Sequence, residues 1–327
     1  VSATYGQTAW YANVIKCRGN KDMKTVLITG GNGLVGNSLR QTPAPKDFEL
    51  VFTSREYHDL TNPDEVKDLF DCYQPAYVIH TAARVGGIAK NLETPAQQFL
   101  DNILMNTHII NEAYLHGVEK LIAFSSVCAM PAVPIMTESA LHDGPPFPAH
   151  GAYAHAKRMV DVQVEAYRKQ YDVNYCSIIP GNIFGEHDNF DMAHGHVVPS
   201  LIHKAYLARN SGSALAAWGD GSPFREFIYV GDLARVCFAL LAHDQPLPQR
   251  LIVSGNEMSI WELVELVASI FKIDVEWDAS KPNGQLRRQT VSEHFDRLFP
   301  GFIRTPIRDA VIQTAKWFDN NYDNARL

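Results

Sequence analysis

Two short stretches hold side chains able to do acid-base chemistry. "FSSVCAMP", residues 124–131, puts Ser126 and Cys128 at the end of an apolar run, and "YAHAK" puts Tyr153 and Lys157 four residues apart. On a helix that spacing places both side chains on one face. A phenol ionises near pH 10 and is a poor proton donor or acceptor at neutral pH, but a nearby ammonium lowers its pKa. A hydroxyl at a strand end, such as that of Ser126, can complete such a set or merely bond a turn. An isolated cysteine is most often a small buried apolar residue, so Cys128 is either packing or, as a thiolate, a base aimed at the same reactant.

A further stretch supplies what such a set needs beside it. "TGGNGLVG" spaces Gly30, Gly33 and Gly36 three apart, after the apolar run Thr25–Thr29 and before a helix. Glycines there allow a tight turn, let backbone N–H groups approach a pyrophosphate and permit close packing, while the helix N-terminus favours the anion. This predicts a dinucleotide site. An acidic residue ending the second strand would bind the ribose 2′-hydroxyl of NAD; "FTSREYHDL" offers Ser54 and Arg55 instead, which suits the 2′-phosphate of NADP(H). Asp59 is a candidate for the adenine amino group.

These residues must be carried by a regular frame, and the sequence alternates strand and helix patterns from Lys24 to Pro180. Continuous Val/Ile/Leu strands between helices predict a parallel sheet covered on both faces. The expected fold is α/β, a Rossmann-type doubly wound parallel sheet over residues 23–180, with a smaller C-terminal substrate-binding lobe over 181–327 from which a segment near 226–255 returns to the first domain. Residues 181–196 read as a long polar loop, and loops of that length are usually functional. The first 22 residues read as an N-terminal extension outside the fold.

At 327 residues and 46% hydrophobic the chain can bury a large core, and a net charge of −7 argues against a nucleic-acid surface. No apolar run is long enough for a membrane span. Five scattered cysteines without CxxC spacing predict neither a disulfide framework nor a metal site, and fit a reducing cytoplasm.

Glycine loop, Ser126 and YxxxK in that order resemble the extended short-chain dehydrogenase/reductase family. Within it, "HTAARVGGI", "SSVCAMP", "YAHAKRMVDVQ", "PGNIFGEHDNF", "HGHVVPSLIHKA", "WGDGSPFREF" and "SKPNGQ" resemble the branch that inverts C3 and C5 of GDP-4-keto-6-deoxymannose and reduces C4 with NADPH, giving GDP-L-fucose. The resemblance implies a reductase triad of Ser126, Tyr153 and Lys157 and an epimerisation pair of Cys128 and His196, although His196 alone would read as a helix cap. It implies GDP-sugar contacts at Lys204, Trp218, Arg225 and Asn283, further cofactor contacts at Leu34, Val35, Ala82, Pro180, Asn182, Ile183 and Lys157, no metal, and a homodimer. The chain departs from the family pattern at Gly181, where Thr is usual, and at Asn283, where an acid is usual. A sister 4,6-dehydratase would need an acid after the strand, and "SSVCAMP" has none. A cofactor-binding regulator without catalysis would not need the whole triad.

Overall fold

The computed structural model describes residues 22–280 and 286–327. The extension proposed for residues 1–22 lies, but for Asp22, outside the described residues, and so does Asn283. In chain order the first elements are β1 (Lys24–Thr29), α1 (Leu34–Gln41), β2 (Phe48–Phe52), α2 (Pro63–Tyr73), β3 (Tyr77–His80), α3 (Ile88–Glu93), α4 (Pro95–Leu115), β4 (Lys120–Phe124), β5 (Ile135–Met136), α5 (Gly151–Tyr171) and β6 (Tyr175–Pro180). There follow β7 (Asn182–Phe184), α6 (Val197–Ser211), β8 (Leu215–Trp218), β9 (Phe224–Tyr229), α7 (Val230–Ala242), β10 (Arg250–Val253), β11 (Asn256–Ser259), α8 (Ile260–Phe271), β12 (Val275–Asp278), β13 (Gln289–Thr290), α9 (Glu293–Leu298) and α10 (Ile307–Asn321).

Six strands pair in parallel in the order β10-β6-β4-β3-β1-β2. Alternate residues of β1 serve the two faces, as the period of a strand requires. Val26 and Ile28 pack with Val35 and Leu39 of α1 and Val236 and Leu240 of α7. Leu27 packs on the other face with Leu69 of α2, Ile109 of α4 and Val160 of α5. The chain leaves β1 toward β2 on one side and returns to β3 on the other, so the ends of β1 and β3 form the crevice where such sheets bind ligands. The Rossmann-type expectation holds.

The second lobe has its own core, in which Phe184, Phe190, Ile202, Leu263 and Phe318 are buried together. Residues 181–196 are not all loop: Asn182–Phe184 forms β7, parallel to β9, because Ile183 and Phe184 supply the apolar side chains a strand edge needs inside a polar stretch. Among the described cysteines Cys128, Cys176 and Cys237 are free, but Cys72 is disulfide-bonded, a correction to the expectation from spacing alone. Among the described residues no helix is long and apolar enough to cross a membrane.

Candidate active site

The glycine turn is built so that side chains cannot enter it. Gly30 has φ +71°, and a Cβ there would lie 2.9 Å from the Ala82 backbone. A Cβ on Gly36 would lie 2.4 Å from the Gly30 carbonyl oxygen. Gly33 is the N-cap of α1 and offers no side-chain cap, and the first turn, with Leu34 and Val35, carries no acid. The helix start therefore keeps unbonded N–H groups and its positive end for an anion, so these residues fit a dinucleotide pyrophosphate.

The floor of this cradle is a buried polar chain. Thr29 Oγ1 bonds His80 Nδ1 at 2.8 Å and accepts from the Ala82 N–H at 3.2 Å, while His80 Nε2 meets Asn106 Oδ1 at 3.0 Å. Burial, then the Lys157 charge, push His80 down to about 3, so it stays neutral. At the outer edge Arg55 is exposed beside Asp59, whose carboxylate already accepts from the backbone N–H and hydroxyl of Thr61. Arg55 is thus an exposed cation at this edge, whereas Asp59 is committed to a turn.

Ser126, Cys128 and Tyr153 form one electrostatic cluster just past β4. Ser126 caps a single 3-10 turn, Val127–Ala129, by accepting the Cys128 N–H at 3.1 Å. Cys128 therefore stands on a turn and not on the strand. Burial pushes its thiol up, while the hydrogen bond from Ser126 and the Arg288 charge pull it down. Burial also pushes the Tyr153 phenol up, then the Cys128 sulfur does so, against a hydrogen bond with Ser126. Lys157, one turn further along α5, does not relieve this: its ammonium is buried and donates to the Phe124 carbonyl at 2.6 Å, and burial pushes it down to about 8.

The second lobe carries the residues expected to meet a substrate. His196 is exposed and is the N-cap residue of α6, yet its side chain makes no cap bond, so helix capping does not account for it. Its titratable neighbours include His150 and the buried Asp188. Trp218, 66% exposed, is no core residue, and the Lys204 ammonium sits 5.4 Å from its ring centroid. The Arg225 guanidinium, which donates to the Phe224 carbonyl at 2.7 Å, is pushed down by burial and then by the charge of Arg288. Repulsion of that kind is relieved by an anion beside them.

Pro180, Gly181 and Asn182 run from β6 into β7, with the Asn182 amide donating to the Glu226 carbonyl at 2.7 Å. The glycine at 181 has a physical reason: a Cβ there would lie 3.0 Å from Glu226 Oε1, and that buried carboxylate is fixed by the N–H groups of Gly255 and Thr290 and by the Thr290 hydroxyl.

Three residues escaped the sequence reading. Arg158 donates twice to the Ala129 carbonyl, at 2.9 and 2.6 Å, and once to Gly144 at 2.6 Å, clamping the turn that carries Cys128. Its position beside Lys157 was the available signal. Arg288 reaches the cluster from a distant segment, and His150 stands just before the helix that carries Tyr153; no local pattern marks either.

The chain matches the model of the NAD dependent epimerase/dehydratase family over residues 26–254. It is 36% identical to a GDP-L-fucose synthase of Dictyostelium discoideum, over 93% of this chain and 98% of that one. It is 33% identical to the GDP-L-fucose synthase of Escherichia coli, over 92% and 98%. A crystal structure of a GDP-L-fucose synthetase from Naegleria fowleri bound to NADP superposes with a TM-score of 0.87 at 34% identity, covering 94% of this chain and 96% of that chain.

Proposed function

The chain belongs to the NAD dependent epimerase/dehydratase family, and from that premise we propose that it converts GDP-4-keto-6-deoxy-D-mannose to GDP-L-fucose, inverting C3 and C5 and reducing C4 with NADPH. The observation that carries the reading is the coupling of Ser126, Cys128 and Tyr153 at the end of β4, beside the glycine cradle.

Both C3 and C5 are α to the C4 carbonyl, so one oxyanion site serves both inversions. Ser126 and Tyr153 hydrogen-bond the enolate oxygen. Cys128, its thiolate favoured by Arg288, removes the α-proton, and His196 returns one to the opposite face. Tyr153 then protonates O4 as C4 is reduced. Gly30, Gly33, Leu34, Val35, Gly36, Ala82, Pro180, Asn182 and Ile183 would hold NADPH, with Arg55 at its 2′-phosphate, and the bound cofactor would supply the hydride. Lys157 would hold the nicotinamide ribose, and its ammonium would support the Tyr153 phenolate. Arg225 and Arg288 bracket the diphosphate, and Trp218 with Lys204 offers the guanine a stacking face.

A homodimer through α4 and α5 belongs to the same reading, supported by exposed Phe99, Leu100, Leu115 and Val162 on those helices. A cytoplasmic setting also fits the proposed use of soluble nucleotide sugars.

Incubation with GDP-4-keto-6-deoxymannose and NADPH, with the product identified by NMR, tests the function. GDP-L-fucose is the expected product. Consumption of NADPH without inversion of C3 and C5 would leave a reductase alone.

A further inference from the structure

His150 stands immediately before α5, less than one helical turn from Tyr153, and nothing about helix geometry explains it. Side chains that cap helix starts are mainly Ser, Thr, Asp and Asn; His150 occupies the N-cap position with φ −94° and ψ −16° and makes no cap bond. Its ring packs 5.8 Å from that of Phe147, and the Arg288 guanidinium lies 5.8 Å from the other partner of that contact, the Phe147 ring. Three segments converge here: Arg288 before β13, His196 before α6, and His150 before α5. Arg288 in turn faces Cys128.

His150 is half-buried, and among the described residues its ring nitrogens have no hydrogen-bond partner and stay open to solvent, free to meet a ligand. Burial first, then the charges of Arg288 and His196, push His150 down to about 4. It is therefore neutral at working pH, with one N–H donor and one bare acceptor nitrogen. That pair suits a hydroxyl, which both accepts and donates. It does not suit the diphosphate, for which the two guanidinium groups are already placed, nor a second base, since an imidazole ionising so low holds a proton poorly.

We propose that His150 is a sugar-binding residue of this site, hydrogen-bonded to a hydroxyl of the hexose and holding the ring between Cys128 and His196. The inference rests on the epimerase/reductase reading for the identity of the hexose.

The test compares His150→Phe, which keeps a ring against Phe147 but removes both polar atoms, with His150→Gln, which keeps a donor and an acceptor that do not titrate. Calorimetry with GDP-mannose and with GDP separates the sugar contact from the nucleotide contact without needing turnover. His150→Phe is expected to bind GDP-mannose about five- to tenfold more weakly, the worth of one net hydrogen bond, and to bind GDP and NADPH as the wild type does. His150→Gln is expected to recover most of the lost affinity. Equal GDP-mannose affinity in His150→Phe and wild type would overturn the proposal, and so would parallel losses for GDP, which would mark a structural role. In the turnover assay the KM for the 4-keto sugar should rise in His150→Phe while both limbs of the pH profile stay in place; loss of a limb would make His150 a base and overturn it too. If the wild type binds GDP-mannose through His150 yet makes no GDP-L-fucose, the functional reading fails and this one stands.

Discussion

Tyr153 and Lys157 are 6% and 2% exposed on a 21-residue helix packed against the central sheet, whereas His196 lies exposed where a polar loop meets α6, and Cys128 rides on a single 3-10 turn. The residue proposed as proton donor for C4 is thus fixed by the main core before any ligand arrives. The pair assigned to inversion is held by local devices: the cap from Ser126, the clamp from Arg158, and the bond from the Gly87 N–H to the His194 carbonyl at 2.8 Å, which ties the loop after β3 to the loop carrying His196. Reduction relies on the sheet, and inversion on turns that two lobes must bring together. Variants should therefore separate the two activities.

The largest effect is expected from Tyr153→Phe, which removes the proton donor for C4 but leaves Cys128 in place. Reduction should fall by about 10²–10⁴-fold, with NADPH affinity nearly unchanged. Solvent deuterium should still enter C3 and C5 in D₂O. Near-normal reduction would mean another acid serves.

Cys128→Ser should do the converse. It changes little in volume but replaces the thiol with a hydroxyl that barely ionises, so exchange at C3 and C5 should fall by about 10²-fold or more. The uninverted ketone should still be reduced, more slowly and to a different sugar. Wild-type exchange in a folded Ser variant would return Cys128 to packing.

Arg55→Ala touches neither activity directly. A charge-assisted contact to the 2′-phosphate contributes about 1.5–3 kcal/mol, so NADPH should bind roughly 10- to 100-fold more weakly while NADH is unaffected. Equal losses for both cofactors would sink the assignment.

The smallest effect, and the sharpest on the comparison, is in pH. Burial pushes Lys157 down to about 8, so raising pH through that value removes its charge and reduction should decline. The Cys128 thiol is pushed up from its ordinary value, so more thiolate forms as pH rises and C3/C5 exchange should increase over the same interval. Parallel profiles would mean that one group limits both steps.

Much of this was legible in the sequence. The glycine spacing, the strand-helix alternation and the Tyr-Lys pair are local patterns, and β1, α1 and α5 fall where those patterns put them. The cluster around Cys128 was legible only in part, because a 3-10 turn has no apolar period, because Arg288 arrives from a segment far away in the chain, and because a histidine at a helix start carries no pattern of its own. The disulfide at Cys72 and the short β7 escaped for a similar reason: each depends on a partner outside its own sequence window.

The like charges of Arg225 and Arg288, near enough for one to depress the ionisation of the other, also set how the protein responds to its ionic surroundings. Dissolved salt screens both their mutual repulsion and their attraction for a diphosphate, more weakly for half-buried groups than for exposed ones. Added salt therefore relieves the empty protein and handicaps the loaded one, so melting temperature without ligand and affinity for the nucleotide sugar should move in opposite directions along a salt titration. Multivalent anions such as sulfate or inorganic pyrophosphate would do both at once, stiffening the protein by occupying the place its substrate needs.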